Sequence, residues 1–221
     1  DEVKSINTRC GRRVGMTLHE VSRQIALTFG LGLILVVRVE AQATEIQPAA
    51  VLCPEVLGIG ASSSTPFCDV LIQVEPDLGI RVILPRRRGQ STLSFNLHNR
   101  HTYSQQEEAV GRAYAQYLAA IAIATMEGEI VGRGVVLSEF REVSDLVDRV
   151  LGGAGASGLK AVAPTGVERI SMNVPEDIDE LVIVGRSLEI VTLDGRDMVT
   201  ALGRPVAVLS DATIEYRPRN N

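Results

Sequence analysis

The chain contains no tryptophan, and its aromatics amount to four Tyr and four Phe among 221 residues. A sugar-stacking surface would have to draw on Tyr103, Tyr114 and Tyr117, which is a thin supply. Lysine is nearly missing as well, since 20 of the 22 cations are Arg; this reads first as the codon usage of G+C-rich DNA. Positive charge is in deficit, with 27 Asp and Glu giving a formal net charge of −5. A chain of that sign repels phosphate backbones, so nucleic-acid binding is not expected, nor is basic attraction to a membrane surface. The nucleophile elbow G-x-S-x-G is absent, because Gly155-Ala156-Ser157-Gly158 runs into Leu159. No calcium-loop spacing and no Asn-x-Ser/Thr acceptor occur either.

What the chain does have is one apolar run. Arg23 precedes Ile25 to Val37, a stretch of about 13 residues, against the roughly 20 a helix needs to span a bilayer. Ala41-Gln42-Ala43 follows as a small-x-small exit. A cation, a short apolar centre and a small-residue exit are the parts of a secretory signal peptide, which predicts cleavage after Ala43. An uncleaved anchor and a buried core helix are the rival readings. The preceding residues 1–15 are unpatterned; Arg12-Arg13 is a pair of the twin-arginine kind, but Val14-Gly15-Met16 give that export route little support.

The 178 residues from Thr44 onward suffice for one domain with a proper core. They hold 16 cations against 23 anions, a net of −7, and two cysteines, Cys53 and Cys68. An even count in an exported chain predicts a disulfide, worth on the order of 3 kcal/mol for a loop of about 15 residues. A metal pair would want closer spacing and more ligands, and a lipid on Cys53 would want a small residue where Leu52 stands.

Residues 44–66 are rich in Pro, Gly and Ser and read as a loosely structured arm, leaving 67–221 as the folded domain. From Phe67 the pattern changes: Cys68 to Val74, Ile80 to Leu84 and Thr92 to His98 read as strands; in the last, Leu93, Phe95 and Leu97 face one way and Ser94, Asn96 and His98 the other. Ser104 and Glu107 fit a capping box and Val110 to Ile121 fit a helical stripe, yet Tyr117 to Thr125 also alternate, and the β-rich flanks favour strand for roughly 113–125. A turn at Met126 to Glu129 leads into Ile130 to Phe140 as a hairpin. Val143, Leu146, Val147 and Val150 sit at i, i+3, i+4 and i+7 and predict one short helix over about 142–151. Strands follow at Arg169–Val174, Leu181–Val184, Leu188–Leu193 and Val206–Tyr216. The expected fold is mainly β, an immunoglobulin-like β-sandwich with that one helix, after an N-terminal signal helix.

Two histidines of the expected domain fall together in His98-Asn99-Arg100-His101-Thr102-Tyr103, so His98, Arg100, His101 and Tyr103 are the candidate ligand-binding residues. In an extended chain three steps put the two rings on opposite faces, whereas a turn would let them converge on zinc or act as acid and base. Gly153 to Gly158 spells G-x-G-x-x-G, but a helix is predicted before it where the dinucleotide fingerprint needs a strand. The acids of Glu176 to Glu180 and the cations of Arg86 to Arg88 read as solvated connections. No cofactor, no metal and no catalytic residue is expected. The favoured reading is an exported periplasmic or extracellular non-catalytic binding or structural protein, contacting other envelope proteins through sheet edges. The alternative is an extracytoplasmic hydrolase or metal-dependent enzyme using His98 and His101. Oligomeric state is not legible.

Overall fold

A computed structural model of the protein describes residues 43–103, 105–150 and 160–219. The expected signal peptide and the glycine-rich loop lie outside the described residues, apart from Ala43. Among the described residues no helix is long and apolar enough to cross a membrane.

Twelve strands follow one another: β1 (Glu45–Pro48), β2 (Ala50–Leu52), β3 (Val56–Ile59), β4 (Pro66–Leu71), β5 (Ile80–Ile83), β6 (Ser91–Tyr103), β7 (Ala115–Thr125), β8 (Ile130–Phe140), β9 (Lys160–Val174), β10 (Glu180–Thr192), β11 (Gly195–Val199) and β12 (Pro205–Tyr216). Among the described residues one α-helix occurs, the five-residue α1 (Gln105–Ala109) between β6 and β7. The first sheet runs β3-β4-β12-β6-β9, with β1 also on β12; the second runs β2-β5-β10-β7-β8, with β11 also on β10. All named pairings are antiparallel. The domain is therefore mainly β, two sheets face to face, as the strand and turn spacing indicates. Its eight principal strands, ordered 4-12-6-9 and 5-10-7-8, give the double Greek key of a jelly roll. Immunoglobulin connectivity, the finer expectation, has a different order. Which strands neighbour each other is decided by pairings across the whole chain, which local alternation does not encode.

The core lies between the sheets. Leu93, Phe95 and Leu97 of β6 are fully buried and meet Ala119, Ile121 and Ile123 of β7 and Leu181 and Ile183 of β10 in one apolar cluster. β7 and β8 form the expected hairpin, closed by bonds from Thr125 N–H to the Glu129 carbonyl and from Gly128 N–H to the Thr125 carbonyl, with Gly128 at φ +87°. The ambiguous segment resolves as the short α1 and then β7, so strand is correct for most of 113–125.

The helix expected over 142–151 is absent from the described part of that segment. One 3-10 turn, Val143–Asp145, remains, held by the Asp145 carboxylate accepting from Arg141 N–H (2.7 Å) and Glu142 N–H (3.1 Å). Beyond it the backbone is drawn out onto the first sheet: Leu146 bridges Thr165, Val147 N–H donates to the Pro164 carbonyl, and Val150 bridges Gly60. A ten-residue helix is marginal alone, and β-branched Val143, Val147 and Val150 do not favour it. Val143 and Leu146 pack on the central cluster while Val150 joins Phe67 and Val208 outside the first sheet. The apolar residues are buried as the pattern demands, but at separate places.

Residues 44–66 are likewise more ordered than a loose arm. β1 extends the first sheet, β2 the second and β3 the first again. Pro48 ends β1 and Pro54 lies in the connection between β2 and β3, so neither takes a needed N–H bond from a strand interior. Cys53, between β2 and β3, is bonded to Cys68 on β4, with 5.9 Å between Cα atoms and a sequence separation of 15. The bridge fastens this segment to the sandwich. Replacing both cysteines (C53S/C68S) is expected to lower unfolding free energy by about 3 kcal/mol, read from the urea midpoint; an unchanged midpoint contradicts that role.

Candidate functional site

The histidine cluster lies on β6, where alternation continues past Leu97. Asn99 and His101 extend the inward row of Leu93, Phe95 and Leu97, while His98 and Arg100 extend the outward row. The period is kept because the irregularity between Leu97 and Asn99 is taken up by the partner β9, at Gly166 with φ +70°. A side chain at Gly166 would also meet Ser138, its Cβ lying 2.6 Å from Ser138 Cβ.

On the outer face His98 is buried beside the small apolar cluster of Phe67, Val150 and Val208. Phe67 meets it edge-on with centroids 5.7 Å apart. Its Nδ1 is 2.6 Å from the Gly166 carbonyl oxygen and its Nε2 is 2.8 Å from Ser210 Oγ. A carbonyl only accepts, so Nδ1 carries the proton and Nε2 accepts from the Ser210 hydroxyl. Burial lowers the His98 pKa more than the Gly166 bond and Asp211 raise it, which keeps the ring neutral. Arg100, two residues on, donates from Nη1 to Asp69 Oδ2 at 2.9 Å. Burial pushes Asp69 up to about 6 against the pull of Arg100, with Glu55 adding to the rise; its other oxygen has no hydrogen-bond partner among the described residues.

On the inner face His101 stacks on Phe140, with centroids 3.8 Å apart, and shares a hydrogen bond through Nδ1 with the Tyr117 hydroxyl. Burial takes His101 down to about 4 and Tyr117 up to about 12. Asn99 beside it donates to the Ser138 hydroxyl at 2.8 Å and to the carbonyls of Tyr117 and Val136 at 3.2 and 3.3 Å. The structure thus brings His98 and Arg100 to one face and sends His101 to the other, so the two rings cannot share a metal or a substrate. Tyr103 pairs with Lys160 through its backbone, and its side chain lies outside the described residues.

Asp69, Asn99, Tyr117 and Ser210 were missed as members of this network. Asn99 was within reach, because two more steps of the Leu93-Phe95-Leu97 row arrive at it. Asp69 is the lone acid inside an apolar strand, a visible oddity, but nothing local names Arg100 as its partner. Ser210 comes from the far end of the chain and carries no local signal.

Two hollows are relevant. One, of about 390 Å³, opens where β1 and β4 part along β12, walled by Pro48, Phe67, the two cysteines and Ser210. The other, of about 650 Å³, is edged by Glu127, Glu129, Asp177, Asp179 and Glu180. Among the described residues no group of three or more His, Cys, Asp or Glu is gathered as a metal centre. Arg87 beneath that rim is buried and donates to the carbonyls of Pro175 and Ile178, so one member of the Arg86–Arg88 run is a structural tie between loops.

No family model and no curated protein matches the chain. Among solved structures it is similar to a cleaved adhesin domain of Lys-gingipain from Porphyromonas gingivalis, at 7% identity and TM-score 0.29, over 82% of this chain and 87% of that one. It is also similar to the catalytic domain of an alpha-1,3-glucanase in complex with nigerose (11%, TM-score 0.28, 81% of this chain) and to the subviral particle protein of infectious bursal disease virus (14%, TM-score 0.23, 78% of this chain). The matches span 29% and 32% of those two longer chains. Likenesses at these scores carry no argument for fold or activity.

The buried groups set opposing pH dependences. Between pH 6.5 and about 4 the unfolded chain protonates His101 and the folded one does not, so stability is lost as pH falls. Between about 6 and 3.8 the folded chain holds a proton on Asp69 that the unfolded one lacks, so stability is gained as pH falls. Each contribution is on the order of 3 kcal/mol at full extent. Urea unfolding across pH 6.5 to 4 should therefore weaken more steeply in D69N than in the parent, and less steeply in H101Q. Parallel curves for all three would contradict these burials.

Proposed function

We propose that the chain is an exported, non-catalytic binding or structural module of the bacterial envelope or its surroundings. The observation that carries the reading is the disposition of its two domain histidines, one turned into a filled sandwich interior and one bonded within the outer face. A reactive pair at a common cleft is what the enzyme reading through both rings would require. Fold alone assigns nothing, since jelly rolls host unrelated activities.

Export is supported by two features. The Cys53–Cys68 bond is the kind that persists in oxidising compartments. In the sequence, the small-residue exit Ala41-Gln42-Ala43 follows the short apolar run at the spacing of a cleavage site. Sheet edges and exposed sheet faces are then the surfaces available for envelope partners.

One second reading is favoured by a specific contact. Ser210, His98 and the Gly166 carbonyl form a hydroxyl–imidazole–acceptor chain, and Ser210 borders the 390 Å³ hollow. That is the order of groups an activated serine needs, with His101 taking no part.

Both parts are testable on protein recovered from an exporting bacterial host with its own leader. Intact mass should show a species starting at Thr44, two hydrogens lighter than its reduced form. A full-length reduced species overturns export. A fluorophosphonate probe should leave the protein unlabelled; labelling that is lost in S210A and H98N would replace the module reading with a serine hydrolase.

A further inference from the structure

β8 ends the second sheet: its ladder pairs with β7 alone, and among the described residues no strand covers its other edge. The pairing with β7 is regular from Ala115↔Phe140 to Ile123↔Gly132, with an irregularity only beyond Ile123. This edge therefore carries a long row of backbone donors and acceptors, without the proline or mid-strand bulge that commonly blunts one. Its outer face is not polar. Val135 is 50% exposed and Leu137 60%, and on β7 the residue opposite Leu137 is Leu118, 38% exposed. Arg133 and Glu139 flank the two apolar residues on the same face, so the row reads Arg133, Val135, Leu137, Glu139.

That row is complementary to itself reversed. We propose that β8 pairs antiparallel with β8 of a second copy of this chain about a two-fold axis at Val136, joining the second sheets into one continuous sheet. This register sets Arg133 opposite the partner's Glu139 and Val135 opposite the partner's Leu137, each twice by symmetry. Neighbouring registers that keep the faces aligned are worse. An axis at Leu137 sets Arg133 against the partner's Arg141, a like-charge pair. An axis at Val135 sets Arg133 against the partner's Leu137, and Glu139 against the partner's Val131.

Glu139 is free to turn to the partner at little cost. Its present contacts, 2.8 Å to Arg141 Nη2 and 3.2 Å from Gln116 Nε2, are exposed surface interactions, and such pairs contribute little to stability. The joined face would also set Leu137 of each copy beside Val135 of the other, with Leu118 one strand behind, so that apolar side chains flank one another across the join where a lone domain leaves the edge row in water.

The inference deepens the module reading by naming one partner. It needs only the folded domain, so its failure leaves the export result untouched. The test is sedimentation velocity of the mature oxidised protein over a concentration series, with circular dichroism confirming that each variant is folded. The parent should dimerise, while R133E and E139R, each facing like charges across the axis, should weaken association at least tenfold. An equimolar mixture of R133E with E139R should associate, because every pair across the axis is then complementary, and the double variant R133E/E139R should regain the parent's dimer. A parent that stays monomeric, a dimer that persists in both single variants, or a mixture that fails to associate overturns the proposal.

Discussion

The two-residue period of β6 is the constraint on which the candidate site depends. This strand lies between β12 and β9 in the first sheet, and its inward row is packed against β7 and β10. Sliding it by one residue would turn Leu93, Phe95 and Leu97 to the outer face and bring Ser94 and Asn96 into an apolar interior. Burial of three large side chains, at roughly 2 kcal/mol or more each, makes that slip prohibitive. Once the leucines are placed, His98 must face outward and His101 inward. Their separation is a consequence of core packing rather than a feature of any binding chemistry.

The polar groups that follow in the row sharpen that choice. Asn99 and His101 enter the sandwich only because acceptors and donors of the second sheet await them, among them the Tyr117 hydroxyl, Ser138 and two backbone carbonyls. A buried polar side chain without such partners would cost a few kcal/mol. The network therefore favours one register between the sheets where an all-apolar interface would tolerate several. On the outer face the same logic applies to His98 with Ser210 and to Asp69 with Arg100, which tie β6 to β12 and β4. Asp148 does similar service farther along: burial would raise its pKa, but bonds from the Ser63 hydroxyl and from the backbone N–H groups of Ser62, Ser63 and Arg149 hold it at about 2. In doing so it closes the turn after β3.

Much of this was legible locally. The strands from Phe67 onward, the β7–β8 hairpin and the Cys53–Cys68 pair are written in alternation, turn residues and cysteine count. What escaped is what distant segments decide. The jelly-roll order depends on β12, the last strand, inserting between β4 and β6. The stretch after Glu142 carries a helical pattern of apolar residues, yet free backbone edges of the first sheet at Thr165 and Gly60 offered it better partners than its own carbonyls. Residues 44–66 looked loose because their prolines and glycines were weighed without the edges they join. Asp69 and Ser210 belong to the histidine network through contacts separated by 31 and 112 positions, beyond the reach of any motif.

The account treats His98 and His101 as separate, buried structural groups. Nitrogen-detected NMR of the imidazole rings tests this most directly. The predicted result is a His98 ring protonated on Nδ1 and neutral at pH 6.5, a His101 ring that titrates near 4, and no joint response of the two to added zinc. Titration of either ring near 6.5, or both shifting together at one equivalent of zinc, would contradict it.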